Sequence, residues 1–220
     1  MSEEFEARAG APQQPPQEGA EEQEKLPQEE LFYWLQTLVT AIVCIVLVFT
    51  FLGRITMQKG PEYFVEAAHK VLQHTDGIRF VMAGNGDMMD KMIDLVARKR
   101  IADRFHFTGF LRGQQVYEML RSSDVYVMPS VSEPFGISPL EAMQCGVPSI
   151  ISKQSGCAEI LRYAIKTDYW DVDAMADAMH ALVSYPTLHE HLKQKGLEEV
   201  NNIVWSKAGL RLRAIYDRLV

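Results

Sequence analysis

Hydrophobic and polar positions fall into three regimes along the 220-residue chain. Residues 1–30 hold almost nothing apolar. Residues 31–53, LFYWLQTLVTAIVCIVLVFTFLG, form one uncharged run. From residue 54 onward, short apolar runs alternate with amphipathic stretches. That alternation predicts a parallel sheet with helices on both faces. VFTFLG, IRFVMAG, RFHFTGF, DVYVMPS and VPSIIS are the strand candidates. PEYFVEAAHKVLQH puts Phe64, Ala67, Ala68, Val71 and Leu72 on one helical face, and Pro61 suits its first turn. DMMDKMIDLVARK, GQQVYEMLRSS, SPLEAMQCG and CAEILRY read as further helices. DVDAMADAMHALVSY, PTLHEHLKQKGLEEV and SKAGLRLRAIYDRLV close the chain as three more. The expected fold class is α/β, with a single doubly wound parallel sheet over residues 48–220. A tail (1–30) and an apolar, transmembrane-like helix (31–47) come before it.

The boundary between the last two regions is contested. A helix of about 20 apolar residues spans a bilayer core, and residues 31–53 are 23 residues without a charge. Phe32, Tyr33 and Trp34 sit where an interfacial aromatic belt would lie. No basic flank or small-residue cleavage site marks a signal peptide. This pattern predicts membrane attachment through residues 31–53. Arg54 and Lys59 follow the run and glutamates precede it, so the positive-inside rule puts the C-terminal domain in the cytoplasm, anchored by a single N-terminal helix. VFTFLG, however, cannot be both the end of that helix and a central strand. The strand is preferred, because the basic loop after it needs a strand end to aim Arg54 and Lys59.

Charge and composition narrow the function classes. The net charge is −7, and residues 1–30 account for all of it, with nine glutamates against Arg8 and Lys25. With so little to bury, that segment is expected to be a disordered acidic tail rich in Pro, Gln and Glu. The remaining residues sum to zero and carry no basic stripe, so no nucleic-acid partner is expected. Cys44, Cys145 and Cys157 have no metal-ligand or redox spacing, and their odd number argues against a disulfide framework.

In a parallel sheet, ligands bind at the C-terminal ends of the strands. After FTFLG come Arg54 and Lys59, five residues apart in a loop ending at Gly60. They suit either a diphosphate clamp beside a helix N-terminus or a solvated basic loop. After IRFVMA comes GNGD. Gly84 permits close backbone approach to a ligand, or simply an ordinary exit from a strand. After DVYVMPS come Glu133 and Glu141, bracketing a Phe-Gly turn and a helix start. Ser138-Pro-Leu-Glu141 has the form of a capping box, which alone would explain Glu141. Glu133 has no comparable structural reason and could hold a sugar hydroxyl.

Taken together, GRITMQKGPEYFVEAA, FVMAGNGD, FTGF, SDVYVMPSVSEPFGISPLEAMQCGVPSI and the Gly156-Cys-Ala-Glu159 turn resemble the donor-binding half of a GT-B retaining glycosyltransferase. The similarity is to the glycogen synthase and sucrose synthase-like group (glycosyl transferases group 1), over about residues 48–220. The resemblance implies one Rossmann-like domain and a nucleoside-diphosphate sugar as substrate, with no cofactor and no metal. It implies that Arg54 and Lys59 bind the diphosphate and stabilise the leaving group, with Glu133 near the transferred sugar. Phe135, Gly136 and Ile137 would turn backbone amides to the donor, Glu141 would hold the ribose hydroxyls, and Gly84 would lie beside the donor. Glu133 to Glu141 is that group's E-x7-E motif. The acceptor domain has no counterpart before residue 48, so a separate acceptor-domain chain is a possible partner, and the chain alone is expected to turn over little. Residues about 28–57 resemble the N-terminal anchor of a type I signal peptidase, without that family's nucleophilic Ser or general-base Lys. The two resemblances imply a seam between two families within or just before residues 48–64.

Overall fold

The structure is a computed structural model that describes residues 46–219. The expected tail and residues 31–45 of the apolar run lie outside the described residues. Six parallel strands form one sheet in the order β3-β2-β1-β4-β5-β6. They are β1 (Leu47–Leu52), β2 (Ile78–Ala83), β3 (Phe105–Gly109), β4 (Val125–Met128), β5 (Ser149–Ser152) and β6 (Ile165–Thr167). The helices are α1 (Pro61–Val71), α2 (Met89–Arg98), α3 (Gln114–Arg121), α4 (Ser138–Gln144), α5 (Cys157–Ile160), α6 (Val172–Ser184), α7 (Pro186–Asn201) and α8 (Trp205–Tyr216). The strand order reverses direction between β1 and β4, which opens a crevice there at the C-terminal strand ends.

The contested stretch is a strand. β1 pairs with β2 from Leu47↔Ile78 to Leu52↔Ala83, and with β4 at Phe49↔Val125 and Thr50↔Tyr126. Being central, it is covered on both faces. Phe49 and Phe51 enter the core shared with Phe64 and Phe80, where the Phe49 and Phe80 rings lie 5.6 Å apart. Thr50 points to the other face and shares a 2.6 Å hydrogen bond with the Ser123 hydroxyl. Asp124 locks the neighbouring edge: its carboxylate accepts from Val48 N at 2.7 Å, and its own amide donates to Val48 O at 2.8 Å. Continuous sheet partners and two packed faces are what a lone lipid-facing helix cannot provide. The structure therefore bears out the preferred strand reading of this stretch over the continuation of the apolar helix through residue 53. Leu47 also belongs to the strand, one residue before the expected boundary. Among the described residues no helix is long and apolar enough to cross a membrane.

A correction concerns the capping box. α4 starts at Ser138 with Ile137 in the cap position, and no side chain caps it. The Ser138 hydroxyl instead bonds Tyr126 Oη at 2.8 Å. Tyr126 comes from β4 and is fully buried, and its phenol also reaches Leu52 O, at a longer 3.4 Å. Glu141 therefore has no capping role in α4. β6 was not among the expected strands. It is an edge strand of three residues, IKT, paired to β5 from Ile150↔Ile165 to Ser152↔Thr167.

Candidate functional site

At the switch point, the loops after β1 and β4 enclose a cleft of about 740 Å³. The loop after β1 tightens into a 3-10 turn, Met57–Lys59, and ends at Gly60. Gly60 has φ 63°, and a Cβ there would lie 2.1 Å from Pro129 O. The chain can therefore press against the end of β4 only if this residue is glycine. Three hydrogen bonds stitch the loops together: Val131 N and Ser132 N donate to Gln58 O at 2.9 and 3.5 Å, and Gln58 Nε2 donates to Ser132 O at 3.0 Å. This stitching brings Lys59 onto Glu133, and the two form an ion pair.

The loop after β4 is anchored from behind. Gly156 N donates to Glu133 O at 2.9 Å, and Cys157 N donates to Phe135 O at 2.6 Å. At Gly136, φ is 94°, and an added Cβ would meet Cys157 Sγ, Glu133 Cγ and Met128 Cε, each at 3.2 Å. The turn is thus packed against the α5 start while Phe135 and Ile137 stay exposed. Burial raises the thiol pKa of Cys157, which keeps it a neutral packing group beneath the turn. Burial also raises the phenol of Tyr126 well above its ordinary 10.0.

Of the residues singled out in the sequence, Arg54, Lys59, Glu133, Phe135, Gly136, Ile137 and Glu141 all line this cleft. Gly84 does not. It lies at the end of β2, where a Cβ would stand 1.8 Å from Gly53 O. Its smallness lets the loop after β1 take its path, so its effect on the cleft is indirect. Gly113, Val116 and Tyr117 also line the cleft and were not anticipated. They lie at or near the start of α3, which follows β3, so the strand-end rule could have found them. No ion pair among the described residues involves Arg54 or Glu141. Among the described residues no group of three or more His, Cys, Asp or Glu side chains is placed to hold a metal ion.

Two cations and two carboxylates in one cleft suit a ligand bearing both phosphate oxygens and hydroxyls. Comparison with known proteins agrees with that chemistry. Residues 46–199 match the family described as glycosyl transferases group 1. The match takes in residues 46–57, the end of the stretch for which a signal peptidase-like anchor was expected. Over 115 residues the chain is 41% identical to an uncharacterized glycosyltransferase of Methanocaldococcus jannaschii, covering 52% of this chain and 29% of that protein. Over 153 residues it is 30% identical to the 2-deoxystreptamine N-acetyl-D-glucosaminyltransferase of Niallia circulans, covering 68% and 39% respectively. The chain thus spans well under half the length of these relatives. Among solved structures, the C-terminal domain of a group 1 glycosyl transferase from Francisella tularensis superposes with a TM-score of 0.66 at 24% identity, over 72% of this chain and 85% of that one. Anabaena HepE in complex with UDP superposes with a TM-score of 0.70 at 16% identity, over 88% and 54%. The chain belongs to the glycosyl transferases group 1 family, and its described residues have the fold of a C-terminal domain of that family.

Proposed function

We propose that this domain binds a nucleoside-diphosphate sugar in the switch-point cleft and presents it for retaining transfer to an acceptor hydroxyl. The observation that carries the reading is the convergence of Arg54, Lys59, Glu133 and Glu141 on one cleft from two strand ends. Arg54 and Lys59 neutralise the diphosphate, and their charge stabilises the nucleoside diphosphate as it departs. Glu141 accepts from the ribose hydroxyls. Glu133 accepts from the transferred sugar, and amides of the Phe135–Ile137 turn face the donor. Anabaena HepE, which shares this fold, is in complex with UDP, and that supports a nucleotide as ligand. Calorimetric titration with UDP-, ADP- and GDP-sugars tests the reading. Saturable binding to one of them, lost in Lys59→Ala, supports it; no binding to any of them contradicts it.

We propose that the domain supplies the donor side of a GT-B cleft, with the acceptor side contributed by a separate domain, so that the donor domain by itself turns over little. The exposed apolar residues of α8 favour this: Trp205 is 93% exposed, and α8 buries none of its residues. Co-purification with a chain carrying an acceptor domain supports it. Turnover by the isolated chain near that of a two-domain family member contradicts it.

A further inference from the structure

We infer that Lys59 exchanges partners between Glu133 and the ligand's diphosphate, and that this exchange makes the cleft prefer the intact sugar nucleotide over the bare nucleoside diphosphate. The inference rests on the donor-binding reading above. In the ligand-free cleft the two cations and two carboxylates cancel formally, so the site as it stands is a poor trap for an anion. One of its cations is already occupied, since Lys59 Nζ is bonded to Glu133 Oε2.

The two partners differ in freedom to move. Glu133 is held by Gly156 N on its carbonyl, by a bridge to Ser155 and by close packing near Gly136. Its side chain is only 12% exposed. Lys59 ends a 3-10 turn on a flexible four-carbon stem, with its side chain 21% exposed. Arriving phosphate oxygens therefore draw Lys59 away, and Glu133 stays where it is. That leaves a largely buried carboxylate without its cation, beside added negative charge, which is the costly half of breaking such a pair.

A bare nucleoside diphosphate bears the whole of that penalty. A sugar ester offsets it, because its hydroxyls donate to Glu133 and its diphosphate carries less charge. Once the sugar has left with the acceptor, Glu133 has lost its donors and Lys59 is drawn back to it. The nucleoside diphosphate is then released by the same pair that admitted the donor. Glu133 is in this sense a specificity-determining residue acting through Lys59, in addition to its proposed contact with the sugar.

The test is calorimetric titration of the full chain with UDP, ADP and GDP, and with UDP-glucose, ADP-glucose and GDP-mannose. Glu133→Gln keeps the shape and removes the charge, and Glu133→Ala guards against a new bond from the amide. Both variants should bind the bare nucleotide about tenfold more tightly than the wild type. The sugar ester should gain less, so the preference for it shrinks. In a Lys59→Gln background, Glu133→Gln should change bare-nucleotide affinity by less than about twofold, because the pair it breaks is already gone. If the wild type binds and Glu133→Gln binds the bare nucleotide no more tightly, the exchange is overturned while the donor-binding reading stands. If neither the wild type nor the variants bind any of the six ligands, both fall.

Discussion

Two lysine–carboxylate pairs in this domain look alike on paper and differ in what surrounds them. Lys59–Glu133 joins the loops after β1 and β4 inside the switch-point cleft, with both side chains largely buried. Lys70–Asp173 joins α1 to α6 across a groove of about 560 Å³ on the flank of the sheet, with side chains 42% and 77% exposed. The flank groove also holds His69, His74 and His180, so it does not lack titratable groups. It lies between the faces of α1 and α6, where no strand end aims a side chain, and the α6 N-terminus beside it is already capped by Asp171 and carries Asp173 in its first turn. The difference teaches that charge density alone does not mark a site. What marks it is the topology that makes distant charges converge, together with enough burial to keep water from screening them.

The largest expected effect comes from removing the strand that holds one side of the cleft. Phe49→Ala should destabilise the domain by about 3–5 kcal/mol, read from urea unfolding, because it empties a fully buried site between β2 and α1. A loss under about 1 kcal/mol would argue against β1 as a central strand. Next comes Lys59→Ala. It should weaken nucleotide-sugar binding by about ten- to a hundredfold, the range of a charge-assisted hydrogen bond. The same variant should leave the fold intact by circular dichroism.

Tyr126→Phe is a smaller perturbation, at about 1 kcal/mol, since it deletes the bond to Ser138 that ties β4 to α4. It also has a pH signature. Burial first of all raises the Tyr126 phenol, so above pH 10 the unfolded chain ionises this residue while the folded chain does not. The contribution is fully present below the ordinary 10.0 and falls as pH rises through the folded value. Urea midpoints measured from about pH 9 to 11 should drop more steeply in the wild type than in Tyr126→Phe. Smallest of all is Asp173→Ala on the flank. It should shift stability by at most about 0.5 kcal/mol and leave nucleotide affinity unchanged. A large binding defect there would erase the contrast between the two pairs.

Much of this fold was legible in the sequence because each element carries its own local signal. VFTFLG declared itself through the motif that needed its end, and five strands alternating with helices implied the parallel sheet. β6 was not legible: three residues with a lysine in the middle show no period, and the edge position demands none. The Ser138 pattern misled because a capping box is a local inference, and the hydroxyl was claimed by Tyr126, twelve residues away, through packing. The cleft residues on two loops were readable one by one from the strand-end rule and from family resemblance. Their pairing was not, since Lys59 and Glu133 are 74 residues apart and meet only because Gly60 lets one loop lie against Pro129. Tyr117 was missed because a helix-period reading of GQQVYEML says nothing about which end faces a crevice.

The most direct measurement is the nucleotide-sugar affinity of three proteins side by side: the wild type, Lys59→Ala and Lys70→Ala. Each variant removes one lysine from an ion pair, and only one of the pairs lies at the switch point. The account predicts saturable binding to the wild type, unchanged affinity in Lys70→Ala, and a loss of tenfold or more in Lys59→Ala, as expected for a charge-assisted contact. Equal affinity in all three, or an equal loss in both variants, would contradict it.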